Sequence, residues 1–375
     1  MKTVVEHLSD LVRIDSVSSI SNRTVVDYAT EVLREARWQM QPLTYRDAAG
    51  IDKVNLIAAP PGQRVEDTLI DLAFVCHTDT VPHAAEWTRA LDLFERDGQL
   101  FGCGACDVKG FLACLLTAAS GSEGAGFVDG LRLVLTADEE VGCVGATHLL
   151  AAGKIEPRRV VIGEPTSLHV ARAGKGYCLA EITVLGHEAH SAHPEQGQSA
   201  IYGAARLLTA IEEYATRLME EQDEFFNPGF TTLNVGTIQG GTAKNIVAAQ
   251  CNFLLEWRPL PGLPTDVVLE IIKKTAEQRN LGDGCCRYEM KVVRRQAGFE
   301  TDADAPLVHA LERLTGRAAT SIPFASEASL LATIAEEVVV FGPGDMRTAH
   351  SDRECVPIRE LEEAVVTIRA LMHAS

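Results

Sequence analysis

The sequence predicts an α/β protein, in which a mostly parallel sheet carries helices on both faces and an α+β domain is inserted into the chain. Strand-like and helix-like segments alternate through the first half, which is typical of strands joined by helical crossovers. Residues 72–76 and much of 131–135 are apolar without alternation, as strands buried on both faces are. At 375 residues the chain is longer than one hydrophobic core usually grows, which favours two domains.

Hydrophobic periodicity and turn residues give the order of elements in the larger domain. Two amphipathic helices open the chain, and Ser21 or Asn22 is a suitable N-cap for the second. The predicted helices cover residues 3–14, 24–38, 110–119, 146–152, 306–315 and 360–372, and the predicted strands cover residues 54–58, 69–76, 131–136, 159–162 and 337–341.

From about Gly174 the pattern changes to that of an α+β domain. Its predicted strands cover residues 178–185, 232–238, 251–257 and 288–294, and its predicted helices cover residues 199–221 and 265–279. We therefore expect residues 1–173 and 297–375 to form one discontinuous domain and residues 174–296 to form the inserted one. The glycine-rich stretch 121–126 is interpreted as a surface loop.

Composition excludes several classes of function. The formal net charge of -18 would repel nucleic acid and anionic membranes, and no basic cluster offsets it. The N-terminal residues lack the apolar stretch of a signal peptide and no run is long enough to span a membrane, so we expect a cytoplasmic protein. The ten cysteines are scattered through a chain without a secretory signal and several lie in apolar segments, so most are expected to be reduced. The C-x-x-C of Cys103 and Cys106 lacks the second pair that a structural zinc site needs.

Four predicted strands lead into residues that suit metal binding. These are His77 and Asp79 after strand 69–76, Glu139 and Glu140 after strand 131–136, Glu164 after strand 159–162, and His350 beyond strand 337–341 and a Gly-Pro-Gly turn. Any one of these acids alone is more simply a solvated loop residue or a helix cap. Parallel strands, however, end at one edge of a sheet, so we expect the four groups to converge there. Converging carboxylates repel one another unless a cation neutralises them, and imidazole with carboxylate is a zinc-type ligand set.

Five motifs carry a resemblance that covers nearly the whole chain. They are HTDTVP (77–82), GCGACDVKG (102–110), TADEE (136–140), GEPT (163–166) and AHSDRECV (349–356). Together they resemble the dinuclear zinc aminoacylase and exopeptidase superfamily. Segments 86–102, 256–262 and 341–350 carry a narrower likeness to the branch that deacetylates N2-acetyl-L-ornithine in arginine biosynthesis. The resemblance implies a metal-binding catalytic domain, an inserted lid and dimerisation domain, and a homodimer whose substrate is a small N-acyl amino acid.

The resemblance also implies roles for the strand-end residues, with two divalent metal ions bound, zinc first and cobalt as the alternative. His77 and Glu164 would bind one ion, Glu140 and His350 the other, and Asp107 would bridge both. Asp79 would orient the His77 ring. Glu139 is the expected general base, because its side chain diverges from that of the neighbouring Glu140 and is free to face a water molecule.

In the inserted domain, GHEAHSAHP (186–194) resembles the family segment whose central histidine, here His190, reaches the partner subunit's active site and stabilises the oxyanion. His187 and His193 are interpreted as structural or surface residues. Arg258 resembles a residue that binds the substrate carboxylate, with a surface ion pair as the alternative. Asn245 is a further candidate for substrate contact, and Glu327 is a candidate partner for a cationic substrate side chain.

Other activities stay open on the sequence. The same chemistry would suit a succinyl-diaminopimelate desuccinylase, an N-acetylcitrulline deacetylase, or a metallo-dipeptidase or carboxypeptidase. A catalytically silent metal-binding protein is the alternative of another class, which the Glu139-Glu140 pair disfavours. The glycine-rich motif superficially resembles a dinucleotide fingerprint, but Asp107 takes the place of its last glycine and would repel a pyrophosphate.

Overall fold

The computed structural model of the protein describes residues 2–121, 126–278 and 286–373. The chain divides into two compact units. The first consists of Met1–Ala173, Glu300–Thr320 and Ser326–Ser375, and the second of Gly174–Phe299 and Ser321–Ala325. The inserted domain was expected to cover residues 174–296. The second unit extends to residue 299 and also includes the short segment 321–325.

The elements follow one another as an alternation of helices and strands. The helices are α1 Val4–Arg13, α2 Arg23–Glu35, α3 Lys109–Ser120, α4 Val144–Ala151, α5 Ala200–Leu218, α6 Val267–Gln278, α7 Pro306–Thr315, α8 Ala328–Leu331 and α9 Ile358–His373. The strands are β1 Gln39–Arg46, β2 Asp52–Ala59, β3 Leu69–His77, β4 Phe94–Arg96, β5 Gln99–Phe101, β6 Leu131–Thr136, β7 Glu156–Ile162, β8 Ala171–Gly174, β9 Tyr177–Leu185, β10 Thr232–Gly240, β11 Gln250–Arg258, β12 Arg287–Gln296, β13 Phe299–Glu300, β14 Thr320–Ile322, β15 Glu337–Val340 and β16 Cys355–Pro357.

The main sheet has the order β1-β2-β6-β3-β7-β15-β8-β13, with β14 paired to β8. Its centre, β6-β3-β7-β15, is parallel throughout, whereas β1, β2 and β8 add to it in antiparallel fashion. Strands β3 and β6 are buried along nearly their whole length, because both faces of the sheet are covered. The predicted mostly parallel α/β fold is confirmed.

Helix α3 is central to the core of the first unit. It packs against α1, α2 and α9, and almost every one of its residues is buried. Where the chain leaves β7, its backbone passes very close to Phe111 of this helix. A Cβ atom added to Gly163 would lie only 2.0 Å from Cδ1 of Phe111. A glycine is therefore required where the chain leaves β7, one residue before Glu164.

The second unit contains a four-stranded antiparallel sheet in the order β10-β11-β9-β12. Buried residues alternate with less buried ones along β9 and β11, as expected for strands with one covered face. Helix α5 packs on this sheet and against α6. Trp257 and Phe253 of β11 are among the largest buried side chains of this core.

Several local features differ from the sequence predictions. Strand β1 was not predicted, since its residues are mixed and half exposed, and Pro42 suits its position at the sheet edge. Asn22 stands at the N-cap of α2 without a capping bond, because its amide instead donates to Val54 and Thr78. Residues 122–125 of the expected surface loop lie outside the described residues, as does the last residue of the predicted helix 265–279.

None of the described helices is both long and apolar enough to cross a membrane. The nine cysteines within the described residues are buried and reduced. Cys285 lies outside that part of the chain.

Candidate metal centre and active site

The carboxyl ends of four parallel strands bring the predicted ligands to one edge of the sheet. His77, the last residue of β3, pairs in register with Thr136 at the end of β6. Ile162 at the end of β7 is in register with Val75 on one side and Val340 on the other. The residues that immediately follow these strands therefore emerge side by side.

Asp107 lies between two imidazoles. Its Oδ1 is 3.0 Å from Nε2 of His77, and its Oδ2 is 3.1 Å from Nε2 of His350. The His77 Nε2 is also 3.9 Å from Oε1 of Glu164, and the His350 Nε2 is 3.3 Å from Oε1 of Glu140. The donor atoms form two overlapping groups whose members lie within 4.8 Å of one another, His77 with Glu139 and Glu164, and His77 with Asp107 and Glu140.

The proton affinities of this cluster reflect its burial and its excess of acids. Burial, reinforced by Asp107, raises the pKa of Glu164 well above its usual range. Burial and the charges of its acidic neighbours raise the pKa of Glu139 to about 7. Although burial opposes ionisation, hydrogen bonds with His350 and His77 hold the pKa of Asp107 below its usual value. Hydrogen bonds with Asp107 and Glu140 raise the pKa of His350 to about 10.

These donors fit divalent cations. A buried group of carboxylates is stable only if protons or cations neutralise it. The His77 ring is oriented for binding, because its Nδ1 lies 3.0 Å from the backbone carbonyl of Asp79 and the opposite nitrogen faces the acids. Imidazole and carboxylate donors on both sides of a shared Asp107 match the ligand preference of zinc and cobalt.

The carboxylate of Asp79 is not the group closest to the His77 ring, from which it is 3.8 Å away. Instead its Oδ1 accepts the backbone N–H of Glu139 at 3.0 Å, and its Oδ2 accepts that of Glu140 at 3.3 Å. The hydroxyl of Ser18 also donates to Oδ2, at 2.7 Å. Asp79 thus orients the ring through its carbonyl and holds the two glutamates through its side chain.

Glu139 is 8% exposed and directed into the cluster. The Cys143 thiol donates to its Oε1 at 3.2 Å. The residue before it, Asp138, has a left-handed backbone with φ of 57°, which turns the chain sharply between β6 and the glutamate pair.

A buried ion pair supports this turn. The Lys53 ammonium is completely buried and lies 2.6 Å from Oδ1 of Asp138. It also donates to the backbone carbonyls of Ser18 and Ile20, at 2.6 and 2.9 Å. The hydroxyl of Tyr45 donates to the other oxygen of Asp138 at 2.8 Å. The buried charges are therefore paired and hydrogen-bonded, as such charges must be.

Asp107 is carried by a loop whose amides surround another acid, Glu354. The N–H groups of Gly104, Cys106 and Asp107 each donate to its carboxylate at 3.0 Å. Gly104 has φ of 75°, a left-handed conformation that glycine adopts without strain. Burial raises the pKa of Glu354 to about 7, against the opposing effect of these N–H groups.

Glu327 is buried beside Glu139, at the N-terminus of α8. Burial, with the nearby charge of Glu139, raises its pKa to about 8. Its Oε1 has no hydrogen-bond partner among the described residues.

The other predicted site residues belong to the second unit. His190 and Asn245 are exposed and lie on neighbouring segments, joined by a bond from the Ser191 N–H to the Asn245 carbonyl at 3.0 Å. The His190 Nδ1 accepts the N–H of Ala192, so in the neutral ring the proton is on Nε2 and is free to be donated. His187 and His193 are exposed as well.

Arg258 forms an ion pair with Glu256 at 2.8 Å and is 29% exposed. Its guanidinium lies 4.7 Å from the centre of the Tyr177 ring, and that of Arg294 lies at the same distance from this ring. The Tyr177 ring therefore makes cation–π contacts with both Arg258 and Arg294 in the second unit.

Sequence reasoning missed the supporting residues Lys53, Cys143 and Glu354. Glu354 belongs to the same sequence motif as the predicted metal ligand His350, and this closeness in sequence was a signal that Glu354 supports the site. Lys53 directly precedes the largely apolar run Val54–Ala59 of β2, and a lysine buried with such a run needs a buried anion. Neither signal shows which groups Glu354 and Lys53 contact in the folded protein.

Comparisons with known proteins identify a family, a curated relative and solved structures of similar fold. Residues 73–374 match the model of peptidase family M20/M25/M40. The acetylornithine deacetylase of Myxococcus xanthus is 44% identical over 368 residues, which are 98% of this chain and 96% of that protein. Aminopeptidase PepT of Bacillus cereus, 20% identical, has a TM-score of 0.75 and is matched over 99% of this chain and 97% of its own. The YXEP protein of Bacillus subtilis, a dinuclear metal-binding peptidase 15% identical to this chain, has a TM-score of 0.70 over 98% and 96% of the two chains.

The parallel sheet and the donor cluster at its edge define a hydrolase of the class that works with bound divalent metal ions. The chain belongs to peptidase family M20/M25/M40.

Replacing Lys53 by methionine should lower the free energy of unfolding by about 3–5 kcal/mol, because the buried Asp138 would lose its cation. Urea denaturation measures this change. Adding Asp138→Asn to Lys53→Met should restore part of the loss. As a control, Arg359→Met removes an exposed partner of Glu363 and should cost about 1 kcal/mol or less. Equal losses in the two single variants would contradict the stabilising role of the buried pair.

Proposed function

We propose that this protein hydrolyses N2-acetyl-L-ornithine to L-ornithine and acetate with the help of two divalent metal ions. The gathering of imidazoles and carboxylates around Asp107 supports the reaction class. The 44% identity to an acetylornithine deacetylase over nearly the whole chain supports the substrate. Succinyl-diaminopimelate desuccinylation, N-acetylcitrulline deacetylation and dipeptide hydrolysis are the alternatives that the same centre would allow.

His77, Asp107 and Glu164 would hold one ion, and Asp107, Glu140 and His350 the other. Zinc is the proposed metal and cobalt the alternative, since both accept imidazole and carboxylate donors. Bound divalent ions polarise a carbonyl and make water more acidic. The dinuclear metal binding of the Bacillus subtilis relative supports the count of two.

Glu139 is the proposed general base and acid. Its carboxylate accepts a proton from the attacking water and then delivers that proton to the departing amine. Asp79 keeps the backbone of Glu139 and Glu140 fixed during this exchange. His190 would donate from Nε2 to the oxyanion that develops in the partner subunit's active site. Arg258 would bind the substrate carboxylate, and Asn245 is a further candidate for substrate contact.

Glu327 is the proposed partner of the cationic ornithine side chain. A buried carboxylate oxygen without a hydrogen-bond partner is destabilised, and an ammonium group would satisfy it.

The proposed setting is arginine biosynthesis in the cytoplasm. We propose in addition a homodimer formed through the second unit. The exposed Tyr202, Ile201, Ile238 and Ile246 of that unit support an apolar interface. Light scattering of the full chain tests the oligomeric state.

A substrate panel with metal analysis tests the proposed function. We expect the purified protein to bind two zinc-type ions per chain, to lose hydrolysis after chelation and to regain it with zinc or cobalt. Its kcat/KM should be highest for N2-acetyl-L-ornithine among that compound, N-acetyl-L-citrulline, N-succinyl-diaminopimelate and dipeptides. A higher kcat/KM for another member would transfer the assignment to that substrate, and hydrolysis unaffected by chelation would refute the metal mechanism.

Changing Glu139 to glutamine should lower kcat by about 10²–10⁴-fold, the usual contribution of a general base, while both metal ions stay bound. Steady-state kinetics and metal analysis of the same preparation measure the two effects. Glu156→Gln is the matched control, because Glu156 is an exposed acid at the opposite end of β7, and it should keep wild-type turnover. Near-normal turnover of Glu139→Gln would remove Glu139 from the mechanism.

Changing Glu327 to glutamine should reduce the preference for N2-acetyl-L-ornithine over uncharged N-acetyl-L-norvaline by about tenfold or more, the scale of a lost charged hydrogen bond. The ratio of the two kcat/KM values is the measurement. Glu336→Gln, an exposed acid nearby in sequence, should leave that ratio unchanged. An unaltered ratio in Glu327→Gln would show that another group recognises the cation.

A further inference from the structure

The loop between β5 and α3 has an unusual set of hydrogen bonds. Oε1 of Glu354 accepts the N–H groups of Cys106 and Asp107, and Oε2 accepts that of Gly104, all at 3.0 Å. The backbone carbonyl of Glu354 also accepts the N–H of Gly102, at 3.3 Å. One residue, distant in sequence, therefore accepts four of the loop's hydrogen bonds.

The sheet pairing brings Glu354 to this place. Strand β16 begins at the next residue and pairs with β5 in the register Cys355 with Phe101. The start of the loop and Glu354 are consequently neighbours on adjacent strands. Glu354 is 2% exposed, so its carboxylate depends on the loop amides, and the amides depend on the carboxylate.

Both oxygens of Asp107 have a specific position. Oδ1 is 3.0 Å from the His77 ring and Oδ2 is 3.1 Å from the His350 ring. The backbone N–H of this same residue is bonded to Glu354. A small rotation of the loop would move both oxygens relative to the two imidazoles.

We propose that Glu354 is a positioning residue, whose carboxylate fixes the Gly102–Asp107 backbone and thereby holds one oxygen of Asp107 beside His77 and the other beside His350, where the metal ions would bind. This inference rests on the proposed metal-dependent function. The hydrogen bonds that the structure gives the Glu354 carboxylate come from backbone N–H groups, so Glu354 would act on the metal centre through Asp107. Because His350 and Glu354 belong to one short segment, that segment supplies a ligand and also orients the bridging one.

The test uses the full-length protein, stripped of metal and titrated with Co²⁺. In E354Q an NH2 group replaces one acceptor oxygen, so at least one loop N–H faces a donor. We expect Co²⁺ affinity to fall by about 10–100-fold, the usual effect of losing a group that orients a ligand, and the visible Co²⁺ spectrum to change. We expect kcat to fall by a similar factor, with a smaller change in KM. Calorimetry and visible absorption measure the binding.

Two further variants separate positioning from general stability. Glu337→Gln is the matched control, because Glu337 is also buried and accepts a backbone N–H, that of Leu307 at 2.7 Å, at the opposite end of β15. It should lower the melting temperature without changing Co²⁺ affinity. E354D keeps both acceptor oxygens on a shorter side chain and should bind Co²⁺ with an affinity between those of the wild type and E354Q.

The outcomes distinguish this inference from the proposed function. A wild-type protein that binds two Co²⁺ ions, with a folded E354Q of equal affinity and unchanged spectrum, would overturn the positioning role alone. Equal losses of affinity in E354Q and Glu337→Gln would overturn it as well. If E354Q does not fold, wild-type Co²⁺ affinity in E354D decides against the proposal. Failure of the wild type to bind Co²⁺ would overturn the metal-dependent function itself.

Discussion

The concentration of negative charge at the carboxyl edge of the sheet is the constraint on which the rest of the first unit depends. Six acids lie there with little or no exposure, namely Asp79, Asp107, Glu139, Glu140, Glu164 and Glu327. Only the imidazoles His77 and His350 are within ion-pair distance of Asp107 among the described residues. Because these acids repel one another in a poorly solvated cleft, the cleft favours the binding of protons or cations. The site is therefore organised for cations before any substrate is considered.

The fold stabilises three of its buried acids, Asp79, Asp138 and Glu354, with backbone amides and a buried ammonium group. Asp79 accepts two N–H groups from the glutamate turn, Glu354 accepts three from the glycine-rich loop, and Asp138 is paired with Lys53. Backbone donors are rigid, so each of these contacts also restricts the segment that supplies them. The hydrogen bonds that stabilise these buried acids therefore also fix the positions of the candidate metal ligands.

Much of this could be predicted from the sequence, because strands buried on both faces have a distinctive composition and parallel strands end together. The positions of His77, Glu139, Glu140 and Glu164 after their strands follow from that rule alone. The supporting contacts could not be predicted, since Glu354 and Asp107 are 247 positions apart and their proximity depends on the pairing of two three-residue strands. Strand β1 was missed for another reason: an exposed edge strand lacks the apolar run that identifies central ones. In contrast, Thr3 and Glu6 form a capping box at the start of α1, and the spacing of a threonine and a glutamate three residues later is visible in the sequence.

The separation of the candidate metal ligands along the chain has a consequence for how the protein matures. Glu140 and His350, whose side chains meet at the centre, are 210 positions apart, and the whole second unit is translated between them. A growing polypeptide on the ribosome thus exposes an incomplete, strongly acidic cleft until its last segment has emerged. The ion that Asp107, Glu140 and His350 would hold can therefore bind only after that final docking step, which would make the cellular supply of metal a requirement of maturation.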